Sequence, residues 1–129
     1  MPLDMERGDR MARILVVDDA HFMRMQCSKV LRSDGHEVLE AADGSEAVQR
    51  YEESDPDLVL MDVTMPVMDG IEAVKTIKQA SPQARIIMVS ATGQQSMVMS
   101  AIEAGALDFV IKPFQPQRLL EAVNSALGR

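Results

Sequence analysis

Four groups in this chain have the residue types and spacing of a site that handles phosphoryl groups. Asp18 and Asp19 follow the aliphatic run RILVV, Asp62 closes DLVLM, Ser90 follows RIIMV, and Lys112 follows LDFVI. If those runs are parallel strands, all five side chains meet at one edge of a sheet. Two unit charges ~4 Å apart interact by about 4 kcal/mol at an effective dielectric near 20. Three converging carboxylates therefore need an offset. Lys112 supplies one positive charge, and a hard divalent cation with oxygen ligands would supply two more, typically using one or two carboxylates, water and a phosphate oxygen. A carboxylate in that setting can act as a nucleophile and form an acyl phosphate. The cation would neutralise the equatorial oxygens of the transferring group. Lys112 would act on it as a point charge, and Ser90 would donate a hydrogen bond.

Taken singly, each residue has an ordinary structural reading. Asp18 or Asp19 before a helix is an N-cap, Asp62 a loop acid, Ser90 a hydroxyl bonded to backbone, and Lys112 a solvated charge. It is their joint occurrence at four strand ends that points to a site.

The elements that would position them can be read from periodicity. Five short runs rich in Val, Ile and Leu cover residues 13–17, 37–41, 57–61, 85–89 and 107–111. Their unbroken apolar character suits strands buried on both faces. Helical spacing fills the gaps: Met23, Cys27, Val30 and Leu31; a weaker helix over 45–53; Ile71, Val74 and Ile77; Val98, Ala101 and Ile102; Leu119, Val123, Ala126 and Leu127. Turn signals separate them at Asp34-Gly35, Asp43-Gly44, Asp55-Pro56, Ser81-Pro82 and Ala104-Gly105. Five β-α units with right-handed crossovers give an α/β fold, a flavodoxin-like doubly wound five-stranded parallel sheet in the order 2-1-3-4-5 with five helices. In such sheets ligands bind at the carboxyl ends of the strands.

Composition narrows the function. The chain has 129 residues, enough for one domain, and a formal charge of −7. That balance argues against nucleic acid, which needs a basic face, and favours protein partners or divalent cations. Tryptophan is absent and eleven methionines are present, so aliphatic and thioether side chains must fill the core. Cys27 is the only cysteine, which excludes an internal disulfide and fits a reducing compartment. No apolar run approaches the ~20 residues of a membrane span, and MPLDMERGDR lacks the apolar core of a signal peptide. A cytoplasmic protein is expected, with residues 1–11 a flexible extension and 12–129 the folded domain.

The motifs ILVVDDA, LVLMDVTMPVMDGIEA, IIMVSA and DFVIKPF, taken together, resemble the receiver domain of two-component response regulators over residues 12–128. The resemblance implies that Asp62 accepts a phosphoryl group from a histidine kinase. It implies Mg²⁺, with Mn²⁺ as an alternative, bound directly by Asp19, Asp62 and the Thr64 backbone carbonyl, with Asp18 acting nearby or through water. It implies that Ser90 and Phe109 are switch residues, although Phe109 lacks the hydroxyl often found at that place. Thr64 and Thr92 would tune the lifetime of the acyl phosphate. Lys112 would be the site lysine, and the Lys112-Pro113 bond would be cis. Within that family, DDAHFMRM and SATGQQSMVMSAIEAGALDFVIKPFQPQR are similar to single-domain chemotaxis regulators. The implied partners are a chemotaxis-type histidine kinase and a flagellar switch protein, met through helix 4, strand 5 and helix 5, roughly residues 94–127. No effector domain is expected after Arg129, and the chain would be a monomer. It would be a phosphoacceptor that catalyses its own phosphotransfer and dephosphorylation rather than an enzyme.

Two other functions share the site. A phosphorelay or sporulation-type receiver would pass the group on to another histidine. A Mg²⁺-dependent phosphatase would also use an aspartyl phosphate, but such enzymes carry an acid two residues after the nucleophile, where this chain has Thr64. Among smaller features, Met23 and Cys27 are expected in packing roles. Phe22 and Met25 are placed near the site, facing partners. The stretch 97–99 is either core or an adaptable Met surface. His21, close in sequence to Asp19, and His36 lack the spacing of metal ligands.

Overall fold

Successive residues of a strand face opposite sides of a sheet, and both sides of these strands are apolar, so helices must cover the sheet twice. The computed structural model describes residues 11–129 apart from 64, 66 and 67. Its strands are β1 (Arg13–Val17), β2 (Glu37–Ala41), β3 (Leu58–Asp62), β4 (Ile86–Ser90) and β5 (Asp108–Ile111). They alternate with α1 (His21–Ser33), α2 (Gly44–Ser54), α3 (Gly70–Ala80), α4 (Gln95–Ala104) and α5 (Pro116–Ala126). All pairings are parallel, as the alternation of elements requires, and the order is β2-β1-β3-β4-β5, as expected. The expected extension falls almost wholly outside the described residues. Of its members only Met11 is described, and it is exposed, whereas Ala12 is buried.

The core divides by strand parity. Leu15, Val17, Val59, Met61, Ile86 and Met88 pack with Ala47 and Tyr51 of α2, Ala73, Val74 and Ile77 of α3 and Ala101 of α4. Ile14, Val16, Leu58, Leu60, Ile87, Val89 and Val110 pack on the other face with Cys27 and Leu31 of α1 and Leu119, Ala122 and Val123 of α5. Two helix starts are capped as their sequences suggest. Asp43 accepts from the Glu46 N–H at 2.8 Å, and Asp69 from the Glu72 N–H at 2.9 Å.

Three expectations need correction. Strands β3 and β4 run one residue later than the apolar runs, and β5 starts one later. Asp62 and Ser90 are thus themselves strand residues, held by the sheet rather than hanging beyond it. In α1 the fully buried residues are Cys27, Ser28 and Leu31, with half-buried Arg24 on the same stripe; of the expected stripe Met23 and Val30 are also only half-buried, though Val30 packs on the core. In α4 only Ala101 is fully buried, and Ile102, assigned to the apolar stripe, is exposed.

Candidate functional site

Parallel pairing brings every strand's carboxyl end to one edge, and the acid groups meet there. Asp18, Asp19 and Asp62 each offer a carboxylate oxygen, and these oxygens lie within 4.8 Å of one another. The Lys112 Nζ donates to Asp18 Oδ2 at 2.6 Å and lies 3.6 Å from Asp62 Oδ1. Asp18 is 3% exposed and Asp62 7%, while Asp19 is open to solvent. The other oxygen of Asp18, Oδ1, accepts from the Ala20 N–H at 2.9 Å. Neither Asp18 nor Asp19 is the N-cap of α1, because Ala20 holds that position without a side-chain bond.

Burial is the main force on Asp62. It raises the carboxyl pKa to about 6; Lys112 acts against the rise, Asp18 and Asp19 add to it, and the Val63 N–H opposes it weakly. Burial also works against the Lys112 ammonium, but the bond to Asp18 and the charges of Asp62 and Asp18 outweigh it and raise its pKa. Fully ionised, three carboxylates against one ammonium leave two negative charges uncompensated. An all-oxygen donor set with that charge fits a hard divalent cation such as Mg²⁺.

The remaining predicted residues fall around this cluster. Ser90 is buried at the end of β4, beside β3, and its Oγ accepts from the Thr92 N–H at 3.3 Å. Thr92 and Phe109 are half-buried, and Phe109 packs against the α2–α4 side of the core. The Lys112-Pro113 bond is cis. Thr64 lies outside the described residues, as does Pro66. Cys27 is buried beneath the cluster; burial first and the Asp18 charge second hold its thiol protonated, with a pKa of about 11.

Sequence reasoning passed over two supports of the site. One is Gly70. A Cβ there would collide with the Asp62 carbonyl, and the Gly70 N–H donates to the Val63 carbonyl at 2.7 Å. The first turn of α3 therefore rests directly on the backbone of the phosphoacceptor candidate. Arg24 was passed over entirely. It is 16% exposed in its side chain and donates to the main-chain carbonyl of Asp18 at 2.7 Å. Its place on the inward stripe, three and four residues before Cys27 and Ser28, was the available signal.

Phe22 and Met25 are exposed on α1, as expected of residues facing outward beside the site. They line an open groove between α1 and the start of α5 together with Pro113, Phe114 and Leu120. The groove is separate from the acid cluster: none of Asp18, Asp19, Asp62 and Lys112 lines it. Met97 joins the core while Met99 is exposed, so the stretch 97–99 serves both readings. His21 sits against Arg24, with Nδ1 3.2 Å from Nη2.

The sequence pattern of the response regulator receiver domain matches residues 14–124. The chemotaxis protein CheY of Bacillus subtilis is 61% identical over 117 residues, covering 90% of this chain and 98% of that protein. The chemotaxis protein CheY of Thermotoga maritima is 55% identical over 113 residues, 87% of this chain and 94% of that one. A solved CheX–CheY–BeF3–Mg²⁺ complex from Borrelia burgdorferi superimposes with a TM-score of 0.85 at 37% identity, covering 88% of this chain and 87% of that one.

Proposed function

Because the chain belongs to the response regulator receiver domain family, we propose that it is a phosphorylation switch of bacterial chemotaxis type, with Asp62 as its phosphoacceptor. The observation that carries this reading is the cluster of Asp18, Asp19 and Asp62 bridged by Lys112. In the transfer, an Asp62 carboxylate oxygen attacks the phosphorus of a phosphohistidine on a CheA-like kinase. An O–P bond forms, the N–P bond breaks, and the leaving imidazole nitrogen takes up a proton. Asp62 must be ionised to attack, which its raised pKa still permits near neutrality. Lys112, anchored on Asp18, meets the charge that develops on the phosphoryl oxygens. A divalent cation bound by Asp19, Asp62 and the Thr64 carbonyl would supply further charge neutralisation there. Reversal by water would regenerate Asp62, with Thr64 and Thr92 controlling access. On that account the chain catalyses its own phosphotransfer and dephosphorylation, without being an enzyme toward other substrates.

The response is a shift between two states that bind phosphate differently. Ser90 turns toward the phosphoryl group, Phe109 moves inward, and the surface of α4, β5 and α5 changes. Exposed Met99, Ile102 and Ile111 on that surface support a protein partner, for which the flagellar switch protein is the reading. The solved relative bound to CheX with BeF3 and Mg²⁺ supports phospho-dependent protein binding in this group. No helix among the described residues is long and apolar enough to cross a membrane; action in the cytoplasm, as a monomer, is part of the same proposal.

The test uses labelled, phosphorylated kinase and the Asp62→Asn protein. Label is expected on the wild type and absent from the variant; equal labelling of both would overturn the reading. Capture of a switch protein only in the presence of beryllofluoride supports the chemotaxis output, whereas onward transfer to a second histidine protein supports a relay.

A further inference from the structure

The three carboxylates of the cluster are not held in the same way. Asp62 is fixed by the β3 ladder and by the Gly70 contact. Asp18 is fixed by the Lys112 ammonium and the Ala20 N–H. Asp19 is exposed, and its side chain has no hydrogen bond or ion pair among the described residues. The placement of its backbone therefore decides where that carboxylate can reach.

That backbone is gripped from two sides. The Asp18 N–H donates to the Ala41 carbonyl of β2 at 3.1 Å. The Asp18 carbonyl, in the following Asp18–Asp19 peptide, accepts from Arg24 Nη1 at 2.7 Å. Arg24 is in turn oriented by β2: its Nε donates to Glu40 Oε1 at 2.9 Å, and Glu40 lies opposite Val16 in the β1–β2 register. A third contact, Nη2 to His21 Nδ1 at 3.2 Å, uses the remaining arm of the guanidinium. The planar fork of arginine makes these three bonds at once, which a lysine cannot do. The ion pair with Glu40 also offsets the charge of Arg24 beside the acid cluster. What Arg24 contributes there is geometry, not a competing cation.

We propose that Arg24 is a positioning residue for metal binding: with Glu40 it fixes the Asp18–Asp19 peptide, and so aims the otherwise unpartnered Asp19 carboxylate at a divalent cation. This rests on reading the acid cluster as a cation site. Outer residues that orient metal ligands typically change affinity by about 10- to 100-fold when removed.

The experiment measures Mg²⁺ affinity of the unphosphorylated protein by calorimetry, for wild type, Arg24→Met and Arg24→Lys. The Mg²⁺ dependence of labelling by a small phosphoramidate is measured alongside. Arg24→Met is expected to weaken Mg²⁺ binding about tenfold. It should raise the Mg²⁺ concentration for half-maximal labelling by the same factor, and leave the rate at saturating Mg²⁺ close to wild type. Arg24→Lys is expected to fall between. A lower melting temperature with unchanged Mg²⁺ affinity would overturn the inference, since a merely structural ion pair predicts that result. If Arg24→Met does not fold, Arg24→Lys decides on the same criterion. Absence of Mg²⁺ binding by the wild type would instead overturn the reading of the site itself.

Discussion

The two edges of the sheet treat charge in opposite ways. At the amino edge, the Arg13 N–H donates to Asp57 Oδ2 at 2.8 Å, the Arg13 guanidinium reaches the Ser54 carbonyl at 2.8 Å and lies 3.3 Å from Glu37, and the Asp57 N–H returns to the Arg13 carbonyl. Buried His36 accepts the Ala12 N–H there, and burial pushes its pKa down. Acids and donors are matched locally, between neighbours in the sheet. At the carboxyl edge three acids converge, and the one lysine among them reaches only the two that are buried, Asp18 and Asp62. The first arrangement closes the fold. The second leaves a charge deficit that folding alone does not need, which is where ligand chemistry belongs.

Breaking the carboxyl edge should have the largest effect. Lys112→Met leaves two buried carboxylates without their counter-charge and is expected to cost about 3 kcal/mol at pH 7.5 without divalent cation. Urea denaturation would show it. The loss should shrink toward pH 5, as Asp62, with its raised pKa, becomes neutral. A cost that does not vary with pH would mean that Lys112 acts mainly by packing.

Removing an acid should do the reverse. The folded pKa of Asp62, about 6, lies above the ordinary 3.8. Its contribution to stability is therefore complete below pH ~3.8 and is lost as pH rises to about 6. Above that, ionised Asp62 is a liability on the order of 3 kcal/mol. Asp62→Asn is expected to be more stable than wild type at pH 7.5, with the difference vanishing near pH 4. A variant less stable at both pH values would contradict the charge-deficit view.

Filling the deficit should also stabilise. Mg²⁺ at ten times its dissociation constant adds about 1.4 kcal/mol to a protein that binds it only when folded. Thermal melts should rise with Mg²⁺ for wild type, fall back on chelation, and respond much less for Asp62→Asn. The smallest effect belongs to the amino edge: Asp57→Asn is expected to cost at most about 1 kcal/mol. Its Mg²⁺ affinity and labelling should match wild type. A changed Mg²⁺ affinity would mean that the two edges are not independent.

Much of this contrast is legible in the sequence. Doubly buried strands read as unbroken aliphatic runs, and polar residues directly after four of the five runs mark the functional edge. Asp18, Asp19, Asp62, Ser90 and Lys112 all emerge from that pattern. What the pattern omits are supports that depend on three-dimensional proximity. Arg24 looks like a surface residue, because hydropathy cannot say which long polar side chain turns inward to a main-chain carbonyl. Gly70 looks like a turn residue, because a missing Cβ gives no sign of the backbone it admits. Ile102 shows the opposite failure: its spacing fits a buried stripe, but α4 covers the sheet sparsely and leaves that side chain outside.

The Lys112–Asp18 bond joins residues 94 positions apart. It links the first strand of the sheet to the last, and the sheet contains no hairpin that could assemble part of the site early. During synthesis, the Asp18–Asp19 pair and Asp62 leave the ribosome well before Lys112 does. A nascent chain thus carries Asp62 without the lysine that completes its surroundings. On the proposed reading of the site, the cluster would be whole only once the final β-α unit docks.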